Sequence, residues 1–186
     1  MNAVRLTCPI ENPAELSTLT AGTPVLLSGS IITGRDAAHA RLHELILAGR
    51  PLPVELANQV IYYVGPAPAA PAHVIGAAGP TTASRMDPFT PELLERGLKG
   101  MIGKGYRSHA VTQAIIQHKA VYFGAIGGLG ALLSRFIVSQ QLVAFGDLGP
   151  EAIYTFAIKD FPVIVLTDTE GHDFYRSNQA AWQSNE

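Results

Sequence analysis

Four short apolar runs, PVLLSGSIIT, VIYYVG, GMIG and AVYFGAIGG, alternate with stretches of helical periodicity, and a glycine closes each of them. Runs of this length, rich in β-branched and aromatic residues, make strands, and strands that alternate with helices make an α/β sheet. Three more runs, QLVAFGD, AIYTFAIKD and PVIVLTDT, follow at hairpin-like spacing near the end, so the sheet is not purely parallel. The fold class this predicts is α/β, a mixed sheet flanked by helices.

The pattern also places the elements. Residues 24–33 read as one or two strands broken at Gly29. A helix over 36–47 buries Ala38, Leu42, Leu45 and Ile46, with Asp36 at its positive start and Gly49 and Pro51 beyond its end. A strand is expected over 60–65, and a Pro/Ala connector follows at 66–72. Residues 73–79 read as a short strand, 90–97 as a helix with Pro91 in its first turn, and 108–118 as a helix capped by Ser108. GALLSRFI reads as a short helix, and the polar tail, about 177–186, is expected to fray or dock. The whole of 1–186 reads as a single domain.

Composition narrows the function. A net charge of −2 offers no basic surplus for nucleic acid, so cations that cluster do so locally. One cysteine, Cys8, excludes an intramolecular disulfide framework, cannot alone hold an iron–sulfur cluster, and fits a reducing compartment. The N-terminus lacks a basic-then-apolar signal pattern and no apolar run nears membrane-spanning length, so a cytoplasmic location is expected. Only 15% of residues are charged, which fits a surface partly covered by a partner.

Three Gly-containing basic turns are the candidates for chemistry. GPTTASRMDPFTPELL (79–94) places two hydroxyls, Thr81 and Thr82, and the cation Arg85 ahead of a helical pattern. TGRDAAHARL (33–42) sets Arg35 and His39 four apart, on one face at the beginning of a helix. GKGYRS (103–108) holds Lys104 between two glycines, with Arg107 and Ser108 opening the next helix. Backbone N–H groups, hydroxyls and cations gathered in turns suit a small polyanion. A cation at a helix start opposes the macrodipole, and a bound anion accounts for it.

Simpler readings stand beside each. Arg35 reaches water and His39 packs at a helix edge; Arg85 pairs with Asp87 in an ordinary turn; Lys104 is a solvated turn lysine. His39 and His43 are spaced as a metal pair, but no third ligand stands nearby and the order is not that of a metalloprotease helix. GAIGGLG (124–130) stands after a strand and before a helix, yet Leu133 replaces the third glycine of a dinucleotide fingerprint. Asp168 and Asp173 read as turn residues. A non-catalytic anion- or nucleotide-binding module therefore remains an alternative to an enzyme.

The segments GRDAAHARL, VIYYVGPAPA, GPTTASRMDPFTPELL, GLKGMIGKGYRS, AVYFGAIGGLGALL and the closing DTEGHDFY together resemble the β subunit, or C-terminal β domain, of class I iron–sulfur fumarate hydratases. The L(+)-tartrate dehydratase β subunits share much of the outline, and the KGYRS form is closer to the fumarase branch. The resemblance implies a swivelling β/β/α domain and reversible addition of water to fumarate, giving (S)-malate. It implies a [4Fe-4S] cluster bound by an α subunit and not by this chain, in a heterodimer or heterotetramer, with no metal held here. It further implies that Arg35, Thr82, Arg85 and Lys104 bind substrate, that Arg35 and Arg85 clamp its carboxylates, that His39 is an active-site residue, and that Thr81 is the base that removes the C3 proton of malate. Ser84 stands where relatives often carry glycine or another residue, and no functional change attaches to it.

Overall fold

The computed structural model describes residues 3–126 and 128–183. Seven strands, β1 (Val4–Cys8), β2 (Pro24–Thr33), β3 (Val60–Tyr62), β4 (Gly100–Gly103), β5 (Val121–Gly124), β6 (Ile137–Ala144) and β7 (Ile153–Thr167), form one sheet in the order β1-β2-β3-β4-β5-β7-β6. The first five are parallel to their neighbours, and β7 runs antiparallel to β2, β5 and β6. Because β7 pairs with both β5 and β2, the mixed sheet closes on itself. Among the described residues it is accompanied by α1 (Asp36–Leu47), α2 (Thr90–Glu95), α3 (His109–His118), α4 (Gly130–Leu133) and α5 (Phe174–Gln183).

Side-chain alternation along the strands divides the core in two. Val60, Tyr62 and Val64 join Leu27, Ile102, Val121, Phe123, Phe156 and Phe161 in one cluster. Ile61 and Tyr63, pointing the other way, join Leu42, Met101, Ile115 and Tyr122 in a second, which includes the buried faces of α1, α2 and α3. Helix α1 spans the predicted residues and buries Ala38, His39 and Leu42, so the histidine belongs to its apolar stripe. Ser108 caps α3 as expected, its Oγ accepting from the Val111 N–H at 3.3 Å.

Several elements differ from the sequence reading. The two expected strands AIYTFAIKD and PVIVLTDT are one continuous β7; Asp160 turns through a left-handed conformation (φ 51°) opposite the irregularity at Gly29. Pairing with β2 along its length carries the strand past that point. Gly29 itself does not break β2, because its φ of 108° is open to glycine and a Cβ there would lie 2.2 Å from the Cys8 carbonyl oxygen. Residues 73–79 form no strand: the Gly76 N–H donates to Ala67 O and the Ala67 N–H to Ala77 O, so the segment folds back on its own connector. β1 has no counterpart in the sequence reading. The polar tail is helical from Phe174 to Gln183, and 184–186 lie outside the described residues. Among the described residues no helix is long and apolar enough to cross a membrane.

Candidate functional site

Ligands in sheets with parallel strands gather beyond the strands' carboxyl ends, and the three basic turns converge there. Arg35 follows β2, Tyr63 and Gly65 follow β3, and Lys104 follows β4. The 79–83 segment returns across this rim and is stitched into it. The Thr81 N–H donates to Tyr63 O at 2.7 Å, the Lys104 N–H donates to Thr81 O at 3.3 Å, and the Ala83 N–H donates to Lys104 O at 2.9 Å. Thr82 and Lys104 thereby pair as a parallel bridge. Gly103 permits the close approach, since a Cβ there would lie 2.9 Å from the Tyr63 ring and 3.1 Å from Ala83 Cβ. Arg85 lies in the 3-10 turn Ala83–Met86 that leads away, and it is exposed.

Arg35 is the N-cap residue of α1, extended at φ −115°, ψ −170°. Its side chain lies over Gly65, where a Cβ would sit 3.0 Å from Nη1, and it is 22% exposed. Its Nη2 is 3.2 Å from Glu151 Oε1, while Asp36 Oδ1 is 3.7 Å from Nε, too far to bond. Arg35 Nε, Asp36 Oδ1 and His39 Nε2 are all buried without a hydrogen-bond partner. Orphaned buried polar atoms are costly; of the three, Arg35 Nε is the donor that a carboxylate can satisfy, whereas Asp36 Oδ1 is an acceptor and His39 Nε2 lies in the core. Among the described residues, neither Arg85 nor Lys104 is ion-paired to a carboxylate.

His39 is wholly buried, with its ring edge-on to Tyr63 at 5.4 Å between centroids. Its Nδ1 is 2.8 Å from Arg35 O. A carbonyl only accepts, so Nδ1 carries the proton and Nε2 the lone pair. Burial lowers its pKa to about 4, partly opposed by that backbone bond, and the charge of Arg107 lowers it further. His39 is therefore neutral near pH 7, and it meets the rim through the backbone of Arg35.

The simpler alternative, in which Arg85 pairs with Asp87, does not hold among the described residues. Asp87 instead accepts from Arg107 Nε and from the Ser108 N–H, each at 2.7 Å. Arg107 is buried beneath the rim, between the rings of Tyr63 and Tyr122. Tyr63 and Glu151 are neighbours that sequence reasoning missed, as it did the buried role of Arg107. The guanidinium at the end of GKGYRS carried no spacing signal for a partner twenty residues upstream, and Glu151 reaches Arg35 from the far end of the chain. The His39–His43 pair is spent otherwise, His43 Nδ1 lying 2.7 Å from Glu92 Oε2. GAIGGLG leads into α4, only four residues long; its Gly127 lies outside the described residues. Asp168 is a turn residue, accepting from the N–H groups of Ala21, Glu170 and His172. Asp173 accepts from the Arg176 N–H in the first turn of α5.

The residues of this chain do not fit an iron–sulfur cluster. Cys8 is 3% exposed, packed in the first core cluster, and burial pushes its thiol up to about 12. Among the described residues, no three of His, Cys, Asp or Glu are grouped to hold a metal ion.

A closed mixed sheet whose carboxyl rim carries threonines and cations, one of them with an unpartnered buried Nε, defines the class: a mixed α/β domain with a polar, cation-bearing rim. The sequence pattern of the family described as Fumarase C-terminus matches residues 1–178, and the chain belongs to that family. It is 42% identical over 165 residues to the anaerobic class I fumarate hydratase of Escherichia coli, covering 88% of this chain and 30% of that protein. It is 38% identical over 168 residues to fumarate hydratase 2 of Leishmania major, covering 89% and 30%. Against the putative L(+)-tartrate dehydratase subunit β of Methanocaldococcus jannaschii it is 32% identical over 167 residues, covering 87% and 86%. The chain thus spans about 30% of the length of the fumarate hydratases it matches.

Proposed function

We propose that this chain is the β part of a hydro-lyase that interconverts fumarate and (S)-malate, and that its rim supplies the carboxylate-binding half of a shared site. The observation that carries this reading is the rim itself: Thr81 and Thr82 are stitched to Lys104, beside an Arg35 with an orphaned Nε. Fumarate carries two negative charges, and Arg35, Arg85 and Lys104 are the cations that receive them. The guanidinium forks donate paired N–H bonds to carboxylates. Thr82 adds a hydroxyl.

Thr81 is the proposed base. Its deprotonated Oγ takes the C3 proton of malate; the C3–H electron pair becomes the C2–C3 double bond as the C2 hydroxyl departs with its bonding pair, and return of the proton from Oγ to that hydroxide gives water and regenerates the base. Carbanion-like charge on the neighbouring carboxylate is stabilised by the cations and by rim N–H groups. A threonine is a weak base, and the same cationic setting is what would lower its pKa. His39 acts in this scheme by fixing the Arg35 backbone. A [4Fe-4S] cluster would be held by a cysteine-bearing α subunit and would supply Lewis acidity there.

The M. jannaschii relative, named as a subunit, is covered over 86% of its length, which supports a chain of this extent working as a separate polypeptide in a heterodimer or heterotetramer. Residues 1–186 would then be one domain that swivels against its partner to open and close the site. The same similarity favours a second reading, L(+)-tartrate as substrate. The experiment is to combine this chain anaerobically with its cluster-loaded α partner and offer malate, fumarate and L(+)-tartrate in parallel. Turnover of malate and fumarate only when both parts are present supports the first reading. Preference for tartrate supports the second, and no turnover of any dicarboxylate by the loaded pair overturns both.

A further inference from the structure

Beneath the rim lies a buried cation that the proposed chemistry does not use. Arg107 stands just before Ser108, the N-cap of α3, with its side chain 1% exposed. Its Nε donates to Asp87 Oδ1 at 2.7 Å, Nη2 donates to Thr90 Oγ1 at 2.7 Å, and Nη1 lies 3.4 Å from the Tyr63 hydroxyl. The guanidinium stacks on two rings, 5.4 Å from the Tyr63 centroid and 5.0 Å from that of Tyr122. Burial works against its charge, and the surroundings of Tyr63, Asp87 and Tyr122 outweigh that and raise its pKa. A buried ion pair adds little net stability compared with apolar packing, so its value here lies in what it holds in place.

Each partner of Arg107 supports a different piece of the rim. Asp87 follows the 3-10 turn that carries Arg85, and its N–H caps that turn on Ser84 O. The Tyr63 carbonyl accepts the Thr81 N–H. Tyr122 donates its hydroxyl to Gly105 O at 3.0 Å, next to Lys104. The Tyr63 ring also meets His39, which bonds the Arg35 carbonyl. One planar fork, wedged between two aromatic rings, therefore touches a support of every cationic turn.

We propose that Arg107 is a positioning residue that locks the turns bearing Arg85, Thr81 and Lys104 into one register, so that the anion grip exists as a unit. The inference rests on the rim being the substrate-binding half-site proposed above. Lysine cannot replace it: an ammonium keeps the charge but cannot bridge Asp87 and Thr90 in a plane or stack on both rings. Charge in the neighbourhood comes from Asp87, which this cation neutralises, while His39 remains neutral.

The test compares Arg107→Lys and Tyr122→Phe with wild type in two measurements. Amide hydrogen exchange on the full chain reads the stitch at the Thr81, Ala83 and Lys104 N–H groups, with Leu27 and Val163 in the sheet as internal controls. Steady-state kinetics on the assembled enzyme read KM and kcat for malate. The lysine variant is expected to speed exchange at the three stitch amides about tenfold or more with the controls unchanged, and to raise KM by about tenfold. Tyr122→Phe should loosen Lys104 alone, with a smaller rise in KM. Unchanged stitch exchange in Arg107→Lys overturns the inference, as does acceleration of the controls to the same degree, which would mark general destabilisation. If wild type shows no turnover, the hydro-lyase reading fails, and the exchange data still decide the positioning role by themselves.

Discussion

Glu151 Oε1 lies 3.2 Å from Arg35 Nη2, so an internal carboxylate already engages the cation proposed to receive the substrate. Both side chains are partly exposed, and such pairs are weak and screened. Glu151 occupies the arginine as a substrate carboxylate would.

Removing that competitor should help binding. Glu151→Gln is expected to lower KM for malate about two- to fivefold, in keeping with a partly exposed ion pair, with kcat little changed. The gain should shrink as salt is added. Steady-state titration of the assembled enzyme at two ionic strengths checks this, and a raised KM would show that Glu151 instead supports the productive position of Arg35.

Thr81 separates backbone from side-chain duty. Its N–H and carbonyl make the stitch to Tyr63 and Lys104, and these bonds survive loss of the hydroxyl. Thr81→Ala should therefore leave the melting temperature within a few degrees and depress kcat far more than KM, by about 100-fold or more. Equal activity would remove its role as base.

His39 gives the fold a pH dependence of known sign. Its pKa falls from 6.5 unfolded to about 4 folded, through burial. Between those values the unfolded chain binds the extra proton, so stability is full above pH 6.5 and is lost as pH falls toward 4. The shift corresponds to about 3 kcal/mol at most. Urea melts across this range should show the slope in wild type, and His39→Asn should flatten it while weakening the hold on Arg35. An unchanged slope in the variant would contradict the assignment.

How much of this was legible in the sequence follows from which interactions are local. Helix α1 and the Ser108 cap were readable because an apolar stripe at three- and four-residue spacing and a capping hydroxyl act within a dozen residues. The joining of two expected strands into β7 was not, because Asp160 and Pro162 look like a break unless β2 is alongside to pair with them. β1 escaped notice for the same reason: its short run becomes a strand through pairing with β2. At the site, Arg35, Thr81, Thr82, Arg85 and Lys104 were visible as polar residues in turns. Their supports were not: Arg107 meets Asp87, and Arg35 meets Glu151, only after the sheet brings distant segments to one rim.

The cations themselves are the most direct place to look. Arg35→Ala and Arg85→Ala, each measured for kcat/KM with fumarate in the enzyme assembled with its cluster-bearing partner, test whether this rim grips a diacid. The account predicts a loss of about 2–4 kcal/mol in transition-state stabilisation for each, seen as a sharply raised KM with a lowered kcat. A kcat/KM equal to wild type in both variants would contradict it.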